Sequence, residues 1–215
     1  MVNADTEQAT RQRVLQAAAE IFARQGFEKT TVREICLAAG ANVAAVNYHF
    51  RDKQALYDAV LDYGYALALE KYPPTFGLGE KPTPEDRLHA FVRSFLHRLL
   101  GEGAPAWHGC LLARELSQPT GLLDKKVEQH VRPMFKLLTD IVREFIADSP
   151  ETVLRRCAQS IVGQVLFYRH AQPVLLRLGS ETKFGPVQIE QIAEHITQFS
   201  LAALRGIARD KGKKP

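Results

Sequence analysis

Side chains that often catalyse reactions or bind metal ions are present in this chain, but their spacing matches no catalytic or metal-binding motif. Seven histidines are spread over 215 residues. Glu85 and His89 lie four residues apart and share a helical face, yet the chain has no His-Glu-x-x-His pair and no third ligand nearby in sequence. A Gly-x-Ser-x-Gly elbow and a phosphate-binding loop are also missing. The spacing therefore argues against an enzyme, and we expect neither a metal nor another cofactor.

The cysteines give a similarly negative result. Cys36, Cys110 and Cys157 lie among apolar residues without metal-like spacing, and an odd number argues against a disulfide framework. We expect buried free thiols. A helical metal- or redox-binding protein without a DNA function remains the alternative, which bound metal or a cofactor spectrum in the purified protein would reveal.

Residues suited to binding rather than to catalysis are concentrated between positions 30 and 57. The small side chains of Ala44 and Ala45 let a helix approach the major groove, where alanine can contact a thymine methyl group. Asn47 can pair with an adenine edge, and Lys53 lies where a helix N-terminus and a cation together favour a phosphate. The alternative interpretation is that these are ordinary surface residues without a DNA contact. The pattern predicts DNA recognition.

Local signals in this stretch predict the helices that position these residues. Thr31 and Glu34 fit a capping box, so a helix begins there. Gly40 ends that helix, because glycine tolerates the left-handed conformation of a tight turn. Asn42 is a good N-cap for a second helix, residues 43–50, and Asp52 can cap a third. The spacing of Val43, Val46 and Phe50 predicts the buried face of the second helix.

The complete string resembles the signature of the TetR-type transcriptional regulators, with Thr31, Gly40, Tyr48-His49-Phe50 and Lys53 at the matching positions. The resemblance implies that the matching polar side chains contact phosphates and that the exposed face of residues 44–47 meets base edges. Many members carry lysine at Val43 and threonine at Ala45, so those contacts are missing here. The predicted DNA-contacting residues are Thr31, Asn42, Ala44, Ala45, Asn47, Tyr48, His49 and Lys53.

Composition sets limits on the partners. The net charge is +4, but residues 1–53 hold seven basic and six acidic side chains, so DNA binding must depend on where the charges lie. No apolar run approaches the roughly 20 residues of a membrane span. The start of the chain, MVNADTEQATRQR, does not resemble a secretory signal. We expect a cytoplasmic protein that does not bind membranes.

The remaining pattern is helical throughout, and no strand pattern competes with it. We expect an all-α fold with a helix-turn-helix DNA-binding head at 1–53 and a larger helical ligand-binding and dimerising domain at 54–215. A helix of about twenty residues after Asp52 connects the two. Besides the helices of residues 30–57, the predicted helices are 11–25, the connector, 84–100, 107–117, 122–147, one from Ser149-Pro150-Glu151 and one from about Pro186. Pro133 is expected to kink the helix at 122–147.

The last two helices carry heptad-like seams. Such seams occur in the cores of single-chain bundles, but small residues at Gly163 and Ala202 permit close approach and favour a four-helix dimer contact. The resemblance also implies a homodimer assembled in this way. The seam residues are Leu154, Ala158, Ile161, Val165 and Tyr168 in one helix, and Ile189, Ile192, Ile196, Phe199 and Ala203 in the other.

In the body, the stretches HGCLLAREL and CAQSIVGQVLFYRHAQPVLLRL resemble the CecR-like branch of the family, which suggests control of transporter or stress-response genes. We expect a repressor released from a palindromic operator by a small-molecule effector. Polar and aromatic groups on apolar helices are typical of ligand pockets, although an Arg114–Glu115 network or solvated faces would look the same. The predicted effector-binding residues are Phe95, His108, Arg114, Glu115, Phe135, Tyr168 and His170.

Overall fold

The fold is built from helices joined by turns, as a computed structural model of residues 2–102, 104–178 and 184–211 shows. No strand occurs in these ranges, so the all-α prediction is confirmed. The helices are α1 (Val2–Lys29), α2 (Val32–Ala39), α3 (Val43–Phe50), α4 (Lys53–Lys71), α5 (Pro84–Leu100), α6 (Ala104–Ser117), α7 (Leu123–Lys126), α8 (Arg132–Phe145), α9 (Glu151–His170), α10 (Gln172–Arg177) and α11 (Pro186–Lys211).

The chain forms two compact units. The first comprises Met1–Ala68 and Gly103–Leu123, and the second comprises Leu69–Glu102 and Asp124–Pro215. The boundary expected at residues 53 and 54 differs from this division because α6 packs on α1 and contributes Leu111 to the apolar core of the first unit. The unit that contains the helix-turn-helix is therefore larger than the predicted head.

Helix α1 is the scaffold of the first unit. It begins well before the predicted residue 11, because the early residues lack the apolar period from which the prediction was made. Gly26, directly after the predicted end at residue 25, interrupts it with φ 83°, and a last helical turn follows. Val14, Ala18 and Phe22 are fully buried against α2, α3 and α4. Burial of each large side chain of this kind contributes about 1.5–3 kcal/mol.

Helix α5 lies at the centre of the second unit, packed by α8, α9 and α11. Its start matches the prediction: Thr83 caps it, Asp86 completes a capping box and Pro84 occupies its first turn. Charged pairs join it to its neighbours. Glu190 of α11 accepts hydrogen bonds from Arg93 at 2.8 Å and from His97 at 2.9 Å. Although burial raises the pKa of Glu190, these two partners outweigh it and lower that pKa overall.

The long helix predicted at 122–147 is interrupted. A π-helical turn, Val127–Val131, separates α7 from α8. Pro133 has no backbone N–H to donate to Gln129, and its ring crowds that carbonyl. The kink predicted at Pro133 therefore takes the form of a widened turn in the residues before it. The helix expected from Ser149-Pro150-Glu151 begins at Glu151, and its N-cap, Pro150, makes no side-chain capping bond.

The predicted seam of α9 is buried except for the half-buried Tyr168, whereas the predicted seam of α11 is divided between inside and outside. Ile189, Ile192 and Ile196 are buried within the second unit, whereas Phe199 and Ala203 are exposed. Along the described ranges, each helix is too short or too polar to cross a lipid bilayer.

Candidate nucleic-acid interface

The start of α2 is held by a complete capping box. The Thr31 backbone N–H donates to Glu34 Oε2 at 2.8 Å, and Thr31 Oγ1 accepts from the Glu34 N–H at 3.2 Å. The Thr31 hydroxyl also donates its proton to Glu34 Oε2, at 2.9 Å. The Thr31 N–H bond is the main cause of the lowered pKa of Glu34. To donate to a phosphate, the Thr31 hydroxyl must first leave Glu34.

The turn between α2 and α3 follows the predicted chemistry. Gly40 adopts the left-handed conformation with φ 59°, and the Ala41 N–H then donates to the Cys36 carbonyl oxygen at 2.9 Å. Asn42 caps α3, because its Oδ1 accepts from the Ala45 N–H at 2.7 Å. Since the side-chain oxygen accepts the capping bond, the Asn42 NH₂ group is the part of this side chain that is left to donate to a DNA acceptor.

Helix α3 presents two distinct faces. Val46 and Phe50 are buried in the core of the first unit. Val43, predicted on the same face, is exposed instead, because it is the first residue of the helix and lies beyond the core. Tyr48 is 74% exposed. Ala44 and Asn47 are also exposed, whereas Ala45 and His49 are half-buried. The exposed face therefore carries Val43, Ala44, Asn47 and Tyr48.

Lys53 opens α4 but does not extend freely into solvent. Its Nζ lies 4.4 Å from the centre of the Phe27 ring and donates to the Glu28 carbonyl oxygen at 3.3 Å. Asp52 caps the same helix, because its Oδ1 accepts from the Ala55 N–H at 2.8 Å. The ammonium group is thus positioned by the end of α1, a constraint that the local sequence pattern does not reveal.

Helix α6 holds the end of α1 through Arg114. Its Nε donates to the Ala23 carbonyl oxygen at 3.2 Å, and its Nη2 donates to the Arg24 carbonyl oxygen at 2.7 Å. Both carbonyls lie just before the break at Gly26, at the end of the regular part of α1, where carbonyl groups often need partners from outside the helix. Arg114 therefore acts as a remote cap for α1.

The neighbouring Glu115 is buried and fully engaged. It accepts from the Tyr57 hydroxyl at 3.3 Å, from the Thr120 N–H at 2.9 Å and from the Thr120 hydroxyl at 3.1 Å. Burial, followed by the charge of Glu115, raises the pKa of Tyr57. The Tyr57 ring also lies 5.1 Å from that of Phe27, on which Lys53 rests. A continuous set of contacts thus joins α6 to the start of α4.

The predicted effector residues are distributed over both units. His108, Arg114 and Glu115 belong to the first, where His108 lies beside Tyr65 at 5.5 Å between ring centres. The residues in the second unit are Phe95, Phe135, Tyr168 and His170. Of these four, Tyr168 lines a cavity of about 330 Å³ between α9 and α11. His170, at the end of α9, is exposed. No cluster of three possible metal ligands occurs among the residues that the structure describes.

Two short helices joined at a glycine turn, with Ala44, Asn47 and Tyr48 on the outward face of the second, define a helix-turn-helix DNA-binding protein. Residues 14–60 match the model of the bacterial regulatory proteins of the tetR family, and residues 84–204 match that of the C-terminal domain of the HTH-type transcriptional dual regulator CecR. The chain belongs to the TetR family, on its CecR-like branch. It is a DNA-binding transcriptional regulator and not an enzyme.

Individual relatives agree with this assignment. The CecR regulator of Shigella flexneri is 26% identical over 94% of both chains. A TetR-family regulator of Streptomyces coelicolor, SCO4454, has a similar fold with a TM-score of 0.67 at 18% identity, over 92% of this chain and 97% of that one. The structure of AibR in complex with isovaleryl coenzyme A and operator DNA has a TM-score of 0.65 at 21% identity, over 88% and 97% of the respective chains.

Proposed function

We propose that this protein is a homodimeric repressor that binds a palindromic operator in the cytoplasm and is released from it by a small-molecule effector. The observation that carries the proposal is the outward face of α3, where Ala44, Asn47 and Tyr48 are exposed while Val46 and Phe50 anchor the helix in the core. A reading helix needs this combination, because its buried face fixes the orientation in which its open face meets base edges.

Within this proposal the DNA-contacting residues have different roles. Asn47 pairs with a base edge, and the two exposed or half-exposed alanines let the helix approach the groove. Tyr48, His49 and Lys53 contact phosphates, which sets the register of the helix but reads no sequence. The Thr31 hydroxyl joins them by exchanging Glu34 for a phosphate oxygen, and the Asn42 amide donates from the cap.

The proposed dimer forms through α9 and α11, which pack on each other in the second unit. Their outer surface carries exposed Phe167 and Phe199. Gly163 and Gly206 lie beside open space, with no atom within 4 Å of an added Cβ. A second copy related by a twofold axis can therefore approach closely and cover both phenylalanines. Two heads fixed in this way match the two half-sites of a palindrome.

The effector is proposed to bind in the second unit, with Phe95, Phe135, Tyr168 and His170 as candidate contacts. The groove beside Tyr168, about 330 Å³ in volume, is also lined by Gly163 and Phe167 of the proposed dimer surface, so an effector bound in it would lie at that surface. Arg114 and Glu115 are engaged with α1, Tyr57 and Thr120, which favours a positioning role for them over effector contact. The similar AibR structure contains isovaleryl coenzyme A and operator DNA, which supports an effector and an operator here. The role that we propose for this chain is control of transporter or stress-response genes.

Selection of bound fragments from a random DNA pool tests the operator. The expected result is an inverted repeat whose half-sites are centred about 10 base pairs, or a multiple of that, apart. A pool that shows no enriched motif, with equal binding to all duplexes, would contradict sequence-specific regulation.

The effector is then sought by release of the labelled operator with a panel of small organic compounds. A compound acts only if it binds the DNA-incompatible state more tightly, and a shift from 1:99 to 99:1 needs about 5.5 kcal/mol of differential affinity. Tyr168→Ala should lose release while operator affinity without the compound stays near wild type. Release of this variant at the wild-type concentration would remove Tyr168 from the effector site.

A further inference from the structure

The connection between α3 and α4 has an unusual backbone conformation at Arg51. Its φ is 66° and its ψ is −58°, and the Asp52 N–H donates across it to the Phe50 carbonyl oxygen at 2.8 Å. This geometry is the γ-turn with positive φ, which is rare and strained for a residue that has a Cβ atom. In the described ranges every other residue with positive φ is a glycine.

The side chain of Arg51 does little for the folded structure that could compensate this strain. It is 88% exposed, and its one contact with another side chain in the described part of the protein is with Asp52 Oδ2 at 4.0 Å. An exposed pair at this distance contributes little to stability. The other oxygen of Asp52 already caps α4. Glycine would satisfy the backbone at this position better, so the reason for an arginine lies outside the fold.

The surroundings of Arg51 indicate what that reason is. The residue directly follows the reading helix, three positions after exposed Tyr48. Lys53, the other cation at this corner, is held back by the Phe27 ring and the Glu28 carbonyl oxygen. Arg51 is thus the cation at the α3–α4 corner that extends into solvent. A guanidinium group can donate two parallel hydrogen bonds to one phosphate, which a lysine cannot do.

We propose that Arg51 binds a phosphate of the operator backbone and that the strained γ-turn is retained because it presents this side chain to the DNA. The inference rests on the operator binding proposed above. It adds a contact outside the set expected from the sequence, and it assigns that contact to positioning on the duplex rather than to reading of bases.

Three variants test the contact by fluorescence anisotropy on a labelled operator duplex and an unrelated duplex between 50 and 300 mM salt. Arg51→Gln should weaken binding to both duplexes by a similar factor, roughly 3–10-fold at the lowest salt, and reduce the slope of log Kd against log salt by about 0.9. Arg209→Gln removes an exposed arginine of α11 and the same net charge. It should bind like the wild type.

Arg51→Gly separates DNA contact from folding. The proposal expects the same loss of affinity as in Arg51→Gln together with a Tm at or above that of the wild type, because glycine relieves the strain. Wild-type affinity and salt slope in Arg51→Gln would overturn the proposal, and so would a lowered Tm in Arg51→Gly that accounts for its weaker binding. If the wild type binds no duplex in a salt-dependent manner, the proposed function itself fails.

Discussion

Arg114 of α6 donates to the carbonyl oxygen of Arg24 at 2.7 Å, across 90 residues of sequence. The same guanidinium group also bonds the Ala23 carbonyl oxygen. Because these carbonyls end the regular part of α1, the position of the reading unit on its scaffold depends on a side chain from a helix outside the predicted head. The relationship makes α6 a structural part of the unit that binds DNA.

Loss of Arg114 should therefore destabilise the protein. Arg114→Ala leaves two carbonyl groups without their charged donor and should lower the free energy of unfolding by about 1–3 kcal/mol, measured by urea denaturation at pH 7. The control is Arg143→Ala, which breaks an exposed pair with Glu151 and should cost less than about 1 kcal/mol. Equal effects of the two substitutions would contradict the capping role.

The bond between Tyr57 and Glu115 predicts a stability loss in alkaline solution. The pKa of Tyr57 is raised in the folded protein by burial and by the Glu115 charge, whereas an unfolded tyrosine titrates near about 10. Above that pH the unfolded chain releases the phenolic proton and the folded one keeps it, so stability falls as pH rises. The slope contributed by this group approaches about 1.4 kcal/mol per pH unit.

Urea denaturation between pH 8 and 10.5 measures this slope. Tyr57→Phe should remove the contribution of this group, while Tyr48→Phe, at an exposed position, should retain it. The assignment is wrong if both variants have the pH dependence of the wild type.

Asn47 and Lys53 should affect DNA binding in different ways. Asn47→Ala should relax the preference at one base pair by about 1–3 kcal/mol. Lys53→Ala should weaken binding to all sequences alike and flatten the salt slope by about one unit. Competition binding with a set of single-base operator variants distinguishes the two effects, and identical profiles would remove the separate roles.

Phe199 offers a cleaner test of dimerisation than the seam isoleucines. Phe199 is 61% exposed, so Phe199→Asp should give folded monomers, seen by light scattering with an unchanged helical circular dichroism spectrum. Ile196 is only 1% exposed, and Ile196→Asp should instead unfold the second unit, because burial of an unpaired charge costs several kcal/mol.

Leu37→Asp, at an exposed apolar position of α2, serves as the matched control and should remain dimeric. A wild type that is monomeric at micromolar concentration, or a dimeric Phe199→Asp, would contradict the proposed interface.

The sequence by itself determined the elements of the reading unit. The capping box of Thr31, the left-handed Gly40 and the Asn42 cap all use bonds between residues at most five positions apart, so their chemistry is visible in the local pattern. The all-α class and the start of α5 followed for the same reason. Pro133 likewise predicted a break in the helix. That the break takes the form of a π-helical turn could be seen only in the folded structure.

Tertiary structure decided which of the predicted functional side chains are exposed and which are buried or bonded to other parts of the protein. Apolar residues at heptad spacing suit an internal core and a dimer contact equally well, and only packing buried Ile196 while it left Phe199 exposed. Contacts between distant residues engaged Lys53 with Glu28 and Arg114 with α1. The γ-turn at Arg51 could not be predicted from the sequence, because its positive φ favours glycine and not arginine. Such features depend on the assembled fold, since their partners lie far apart in sequence or their conformation opposes local preference.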